Sequence, residues 1–178
     1  MSRPYPLLLL LTGQALAAQG SRDSAALANP VMAATRPQYE QVKDYLLRAA
    51  DQMPEQNYAF RPTPQVRTFG QLLGHIATTQ HLLCAAALDE RPVTTEEFEK
   101  TLTSKTSLVD ALLASFSYCD RAYRLTDARA TASLHSQGAG NRSALALLVQ
   151  NIAHDNEHYG NIVTYLRLNN LVPPSSQP

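Results

Sequence analysis

Apolar side chains recur at three- and four-residue steps in four stretches of the chain, and no stretch alternates with the two-residue period of a strand. The first predicted helix runs from about Pro37 to Met53, with Tyr39, Val42, Leu46, Ala49 and Met53 as its seam. Pro54 and the stretch Tyr58 to Pro64 interrupt the pattern, because prolines remove donors and bias their neighbours toward extended backbone. Thr68 is suited to cap a second helix, whose predicted seam is Phe69, Leu72, Ile76, Thr79, Leu83 and Ala86, with Pro92 beyond its end. A third spans roughly Ser104 to Leu125, with Leu108, Leu112, Phe116, Cys119 and Tyr123 inward. Gly138-Ala139-Gly140 breaks the chain, Asn141 is positioned to cap a fourth, and Val172-Pro173-Pro174 stops it. Four such helices without a strand pattern predict an all-α fold, a four-helix bundle.

Composition narrows the function. The 178 residues carry fifteen basic and fifteen acidic side chains, so the net charge is zero. That balance, with no Trp, argues against nucleic acid as a partner. No run approaches the ~20 apolar residues of a transmembrane helix. Arg3, the apolar run Leu7–Leu11 and Ala15-Leu16-Ala17-Ala18 have the order of a secretory signal peptide, predicted to cover residues 1–18 with cleavage near Ala17 or Ala18. No Cys follows the cleavage site, which argues against a lipoprotein anchor. Residues 19–36, rich in Ala, Ser and Asn, then read as a linker, and residues 37–174 as the bundle. The expected location is periplasmic or secreted. Cys84 and Cys119 fall on neighbouring predicted helices. They either bridge in an oxidising compartment or stay as buried free thiols, and free thiols are the expectation.

The candidate chemistry lies in histidines. His154 and His158 are four residues apart in LLVQNIAHDNEHYGNIVTYLR, on one helix face, with Cβ atoms ~5–6 Å apart. On a helical wheel they share a half-turn with Leu147, Asn151 and Ile162, at the edge of the buried stripe. His75 lies in a second helical segment, FGQLLGHIATTQHLL. Three histidines on one ion leave a coordination position open, the arrangement of a catalytic rather than a structural site.

The segment from Arg67-Thr68-Phe69-Gly70-Gln71-Leu72-Leu73-Gly74-His75 to Ile76-Ala77, with His154-Asp155-Asn156-Glu157-His158-Tyr159-Gly160-Asn161 and Tyr165-Leu166-Arg167, resembles the DinB/YfiT-like family of bacterial metalloproteins. The likeness covers about residues 34–174. It implies a four-helix bundle holding a divalent metal, commonly zinc or nickel, on three histidines, which by position are His75, His154 and His158. Some relatives are thiol-dependent S-transferases or isomerases that use low-molecular-weight thiols of the reducing cytoplasm, a cofactor an exported member would not meet.

Other residues carry weaker expectations. Asp155 falls near the middle of the apolar face of the last helix. It is a candidate to orient a metal-bound His from behind, but a buried structural ion pair, or a carboxylate accepting backbone N–H groups of a loop, is the expectation. Tyr58 and Arg61, in the connection after the first helix, are candidates for substrate contact. His81 and Glu157 read as ordinary, and His135 as a loop residue. Two function classes remain open: a metal-dependent enzyme of hydrolase or transferase type acting on a small molecule, and an exported metal-dependent binding protein without turnover. A thiol-dependent S-transferase becomes the reading if the signal peptide is absent, and a homodimer is the partner considered.

Overall fold

The computed structural model describes residues 28–94, 96–134 and 141–177. The predicted signal peptide, residues 19–27 of the predicted linker, His135 and Gly138-Ala139-Gly140 lie outside them. Among the described residues four long helices form the bundle: α1 (Pro30–Gln52), α2 (Phe69–Ala87), α4 (Lys105–Ala122) and α6 (Ala144–Leu168). Two short ones, α3 (Phe98–Thr101) and α5 (Asp127–Thr131), sit in the connections. No helix among the described residues is long and apolar enough to cross a membrane.

Pairings across the core give the helix directions. Gly70 faces Leu108, Gln80 faces Ser115 and Cys84 faces Cys119, so α2 and α4 run parallel. Tyr165 reaches Arg67 while His154 reaches His75, so α6 runs antiparallel to α2. Tyr39 reaches Asp120 and the far end of α1 meets Lys105, so α1 opposes α4. Two parallel neighbours need a crossover, and residues 88–104 with α3 supply it.

The first helix begins at Pro30, seven residues before the predicted start, which converts residues 30–36 of the predicted linker into helix. Proline is favoured at the first helical position, and Pro30 holds that place whereas Pro37 lies inside the helix. The cap comes from a distant element. Both carboxylate oxygens of Asp127 accept from the backbone N–H groups of Val31 and Met32, at 2.9 Å each, and Asn29 Oδ1 accepts from Asp127 N at 2.8 Å. Met32, fully buried, pins the added turns to the core.

Three further differences have physical causes. Ser143 rather than Asn141 caps α6, its side chain accepting from Ala146 N at 3.2 Å. The buried side of α2 includes Ala77, Gln80, His81 and Cys84 in place of Thr79, Leu83 and Ala86, because two polar side chains occupy inward positions that hydropathy assigns to the surface. Finally, Cys84 and Cys119 are bridged, with Cα atoms 5.3 Å apart, so the expectation of free thiols is corrected. The parallel pairing of α2 and α4 brings these two positions level, which spacing along the chain does not reveal.

Candidate metal centre

A capping box opens α2: Thr68 Oγ1 accepts from Gln71 N at 3.1 Å, and Gln71 Oε1 accepts from Thr68 N at 2.9 Å. That fixed start sets the phase that turns His75 toward α6. On α6 the four-residue step brings His154 and His158 to the same side. The three side chains form a cluster whose ligand atoms all lie within 4.8 Å of one another. His154 Nε2 is 3.1 Å from His75 Nε2. Neighbouring ligand nitrogens on one tetrahedral zinc lie about 3.3 Å apart, given Zn–N bonds of about 2.0–2.1 Å. The rings are tilted or edge-on, with interplanar angles of 52°, 89° and 80°, so nitrogens rather than ring faces converge. The donor set fits a divalent ion.

Burial favours the neutral imidazoles that bind metals. Desolvation, then the Arg67 charge, lowers the pKa of His75, and desolvation with its two histidine neighbours lowers that of His158 to about 4. The remaining ring nitrogens face polar atoms: His75 Nδ1 lies 3.7 Å from Glu99 Oε1, His154 Nδ1 lies 3.5 Å from Asp155 Oδ1, and His158 Nδ1 lies 3.5 Å from Asn161 Nδ2. Such outer partners steer a ligating ring.

Asp155 is fully buried, and burial pushes its carboxyl up to about 6. A neighbour in sequence is not expected to face its own neighbour's ring, yet here the carboxylate does lie beside His154.

Glu99 escapes sequence reasoning. It belongs to the four-residue helix α3, too short for a periodic signal, and pairs with Arg67, whose guanidinium holds its carboxyl below the usual range. The available clue is Gly74, beside His75. A Cβ there would stand 2.6 Å from Glu99 N, so only glycine lets α3 approach this closely. A glycine inside a helix costs ~1 kcal/mol against alanine, which asks for such a reason.

His158 and Glu99 open onto a cleft of about 770 Å³, also lined by Arg67, Gln71, Asn161 and Tyr165. Glu157, expected to be merely solvated, lines it too. The two expected substrate contacts do not. Tyr58 is a core residue, its ring edge-on to Phe69 and its hydroxyl donating to Ala50 O at 2.7 Å. Arg61 is exposed, donates to Pro64 O and is not among the residues lining the cleft. His81 is buried and accepts from Val93 N at 3.1 Å, a structural role.

A family model of the DinB superfamily matches residues 38–162, most of the bundle. The chain belongs to the DinB superfamily. Solved structures agree on the fold. A DinB-like protein from Bacillus cereus aligns with a TM-score of 0.67 at 18% identity, over 79% of this chain and 93% of that one. A conserved protein from Enterococcus faecalis aligns with a TM-score of 0.61 at 18% identity, over 75% and 94%. No curated protein matches the sequence. At such identities the likeness carries the DinB fold alone.

Proposed function

We propose that this DinB protein is a metal-dependent enzyme of hydrolase or transferase type, in which His75, His154 and His158 hold one zinc or nickel ion with an open position toward the cleft. The observation that carries the reading is the convergence of one buried and two half-buried imidazoles, two of their Nε2 atoms 3.1 Å apart, beside a cleft large enough for a small molecule. An ion held there supplies Lewis acidity at the open position. Around it the protein's own groups bind and orient: Gln71 and Asn161 offer amide donors and acceptors, while the Arg67–Glu99 pair fixes a carboxylate behind His75. Elemental analysis of the purified protein tests the ligands. One equivalent of metal is expected in the wild type and none in His154→Ala after dialysis against chelator, and undiminished metal in the variant would refute the assignment. Activity against ester, amide and thiol substrates separates the enzyme from a binding protein without turnover.

Export is the second part of the proposal. The Cys84–Cys119 bridge supports it, because disulfides persist in oxidising compartments and are rare in the cytosol. Mass spectrometry of the periplasmic or secreted fraction from the native host should find a terminus near residue 18 or 19. Cytoplasmic protein retaining Met1 or Ser2 would instead return the thiol-dependent S-transferase reading.

A further inference from the structure

Beneath the histidines, the bundle buries a polar layer that packing alone does not require. Gln80, Asn151 and Asp155 are each fully buried, and Ser115 nearly so. Asn151 Nδ2 donates to Asp155 Oδ2 at 3.1 Å. The Gln80 amide satisfies its neighbours in the orientation in which Nε2 donates to the same Oδ2 at 2.8 Å, while Oε1 accepts from Ser115 Oγ at 2.9 Å and Phe116 N at 3.2 Å. Both donors therefore converge on one carboxylate oxygen. The other, Oδ1, is buried with no donor, and so is the atom it faces, His154 Nδ1, 3.5 Å away.

Two buried acceptors facing each other are costly, whereas a proton on the ring nitrogen lets both atoms pair once the 3.5 Å gap closes slightly. We propose that Asp155, aimed by Gln80 and Asn151, is the positioning residue that holds His154 in the Nδ1–H tautomer and so keeps the Nε2 lone pair for the metal. The role rests on the metal reading above, but the tautomer can be read in metal-free protein. Asn151 and Gln80 matter because they give the carboxylate a polarity: Oδ2 is taken, and only Oδ1 is left for the histidine.

Asp155→Asn tests this with almost no change of shape. The donors of Gln80 and Asn151 require the new amide's oxygen at the Oδ2 position, which turns its NH₂ toward His154. That ring must then accept at Nδ1 and carry its proton on Nε2, the atom needed for coordination. Nitrogen-15 NMR of histidine-labelled, metal-free protein reads the tautomer directly, and competition with a chromogenic chelator reads zinc affinity. The expected results are an Nδ1–H tautomer at His154 in the wild type, an Nε2–H tautomer in Asp155→Asn, and zinc binding weaker by about 10–100-fold. A merely structural Asp155 would shift the thermal midpoint and leave the tautomer alone, which would overturn the proposal. So would an Nε2–H tautomer at His154 in the wild type, a measurement that stands even if the variant does not fold. Should wild-type protein show the Nδ1–H tautomer yet bind no zinc, the metal reading fails while the tautomer assignment stands.

Discussion

Two layers flank the histidines along α2, and they are built on opposite principles. Six residues before His75, Phe69 packs edge-on against Tyr58, with Leu108 closing over Gly70. Five residues after it, Gln80 joins Ser115, Asn151 and Asp155 in a buried hydrogen-bonded group. The first layer gains from removing apolar surface from water, a force with little directional preference. The second must satisfy each buried polar atom by direction, and any atom left over is costly. The apolar layer therefore supplies stability and tolerates approximate shapes, while the polar layer supplies orientation. The difference matters because a metal site needs both: a frame that does not move, and ring nitrogens aimed to within a few tenths of an ångström.

The comparison breaks most readily from the apolar side. Leu108→Ala removes a side chain that is 1% exposed and leaves a cavity against Gly70. Chemical denaturation should show a loss of about 2–5 kcal/mol, with metal stoichiometry retained below the lowered transition. Unchanged stability would mean that this layer does not carry the frame. Removing the bridge comes next. Cys84→Ala with Cys119→Ala opens a loop with a sequence separation of 35, for which chain entropy gives about 3–4 kcal/mol. Native distortion often reduces that figure, so a lower midpoint matched by wild type in reductant is the sharper expectation. The bridge adjoins the polar layer, since Cys119 Sγ lies 3.4 Å from Gln80 O. If its loss also weakened zinc binding, the frame and the aiming group would prove to be coupled rather than separate.

The apolar principle is the one a sequence displays. Tyr39, Val42, Leu46, Ala49 and Met53 are all buried as their spacing predicts, and the same holds for Leu108, Leu112, Phe116 and Cys119 on α4 and for Tyr123 at its C-terminal cap. The histidines were legible because the four-residue step fixes a common face. The polar layer was legible only on α6, where Asn151 and Asp155 fall on the apolar half-turn, and its Gln80 and Ser115 were not. Hydropathy gives an inward Gln80 and an outward glutamine the same value, so the predicted seam of α2 drifts by a position where Gln80 begins. Glu99 was hidden for a different reason: it reaches His75 through a crossover whose path depends on the missing Cβ of Gly74. Tyr58, whose sequence context of prolines suggests an open loop, lies in the core because its ring has Phe69 to pack on.

Metal should add stability only through the aimed side of the molecule. Zinc at one hundred times its dissociation constant raises the unfolding free energy by about 2.7 kcal/mol for a site formed only in the folded state. Thermal unfolding with and without zinc checks this in the wild type and in His154→Ala. The wild-type midpoint should rise, and the variant's should not. An equal rise in both would place the stabilising ion elsewhere.

The smallest expected effect isolates a side-chain hydrogen bond of the apolar layer. Pro54 has no N–H, so Ala50 O, four residues earlier, lacks the donor that would continue the helix. Tyr58 fills the gap, its hydroxyl donating to that carbonyl at 2.7 Å. The proline that ends α1 and the tyrosine that follows thus form one device: the first orphans a buried acceptor, and the second satisfies it. Tyr58→Phe keeps the ring against Phe69 and removes only the donor. A loss on the order of 1–2 kcal/mol follows, the cost of leaving a buried carbonyl unpaired. Zinc affinity should stay at the wild-type value, because Tyr58 belongs neither to the histidine cluster nor to the residues lining the cleft. A variant of normal stability with weakened zinc binding or altered turnover would instead make Tyr58 part of the site rather than of the frame.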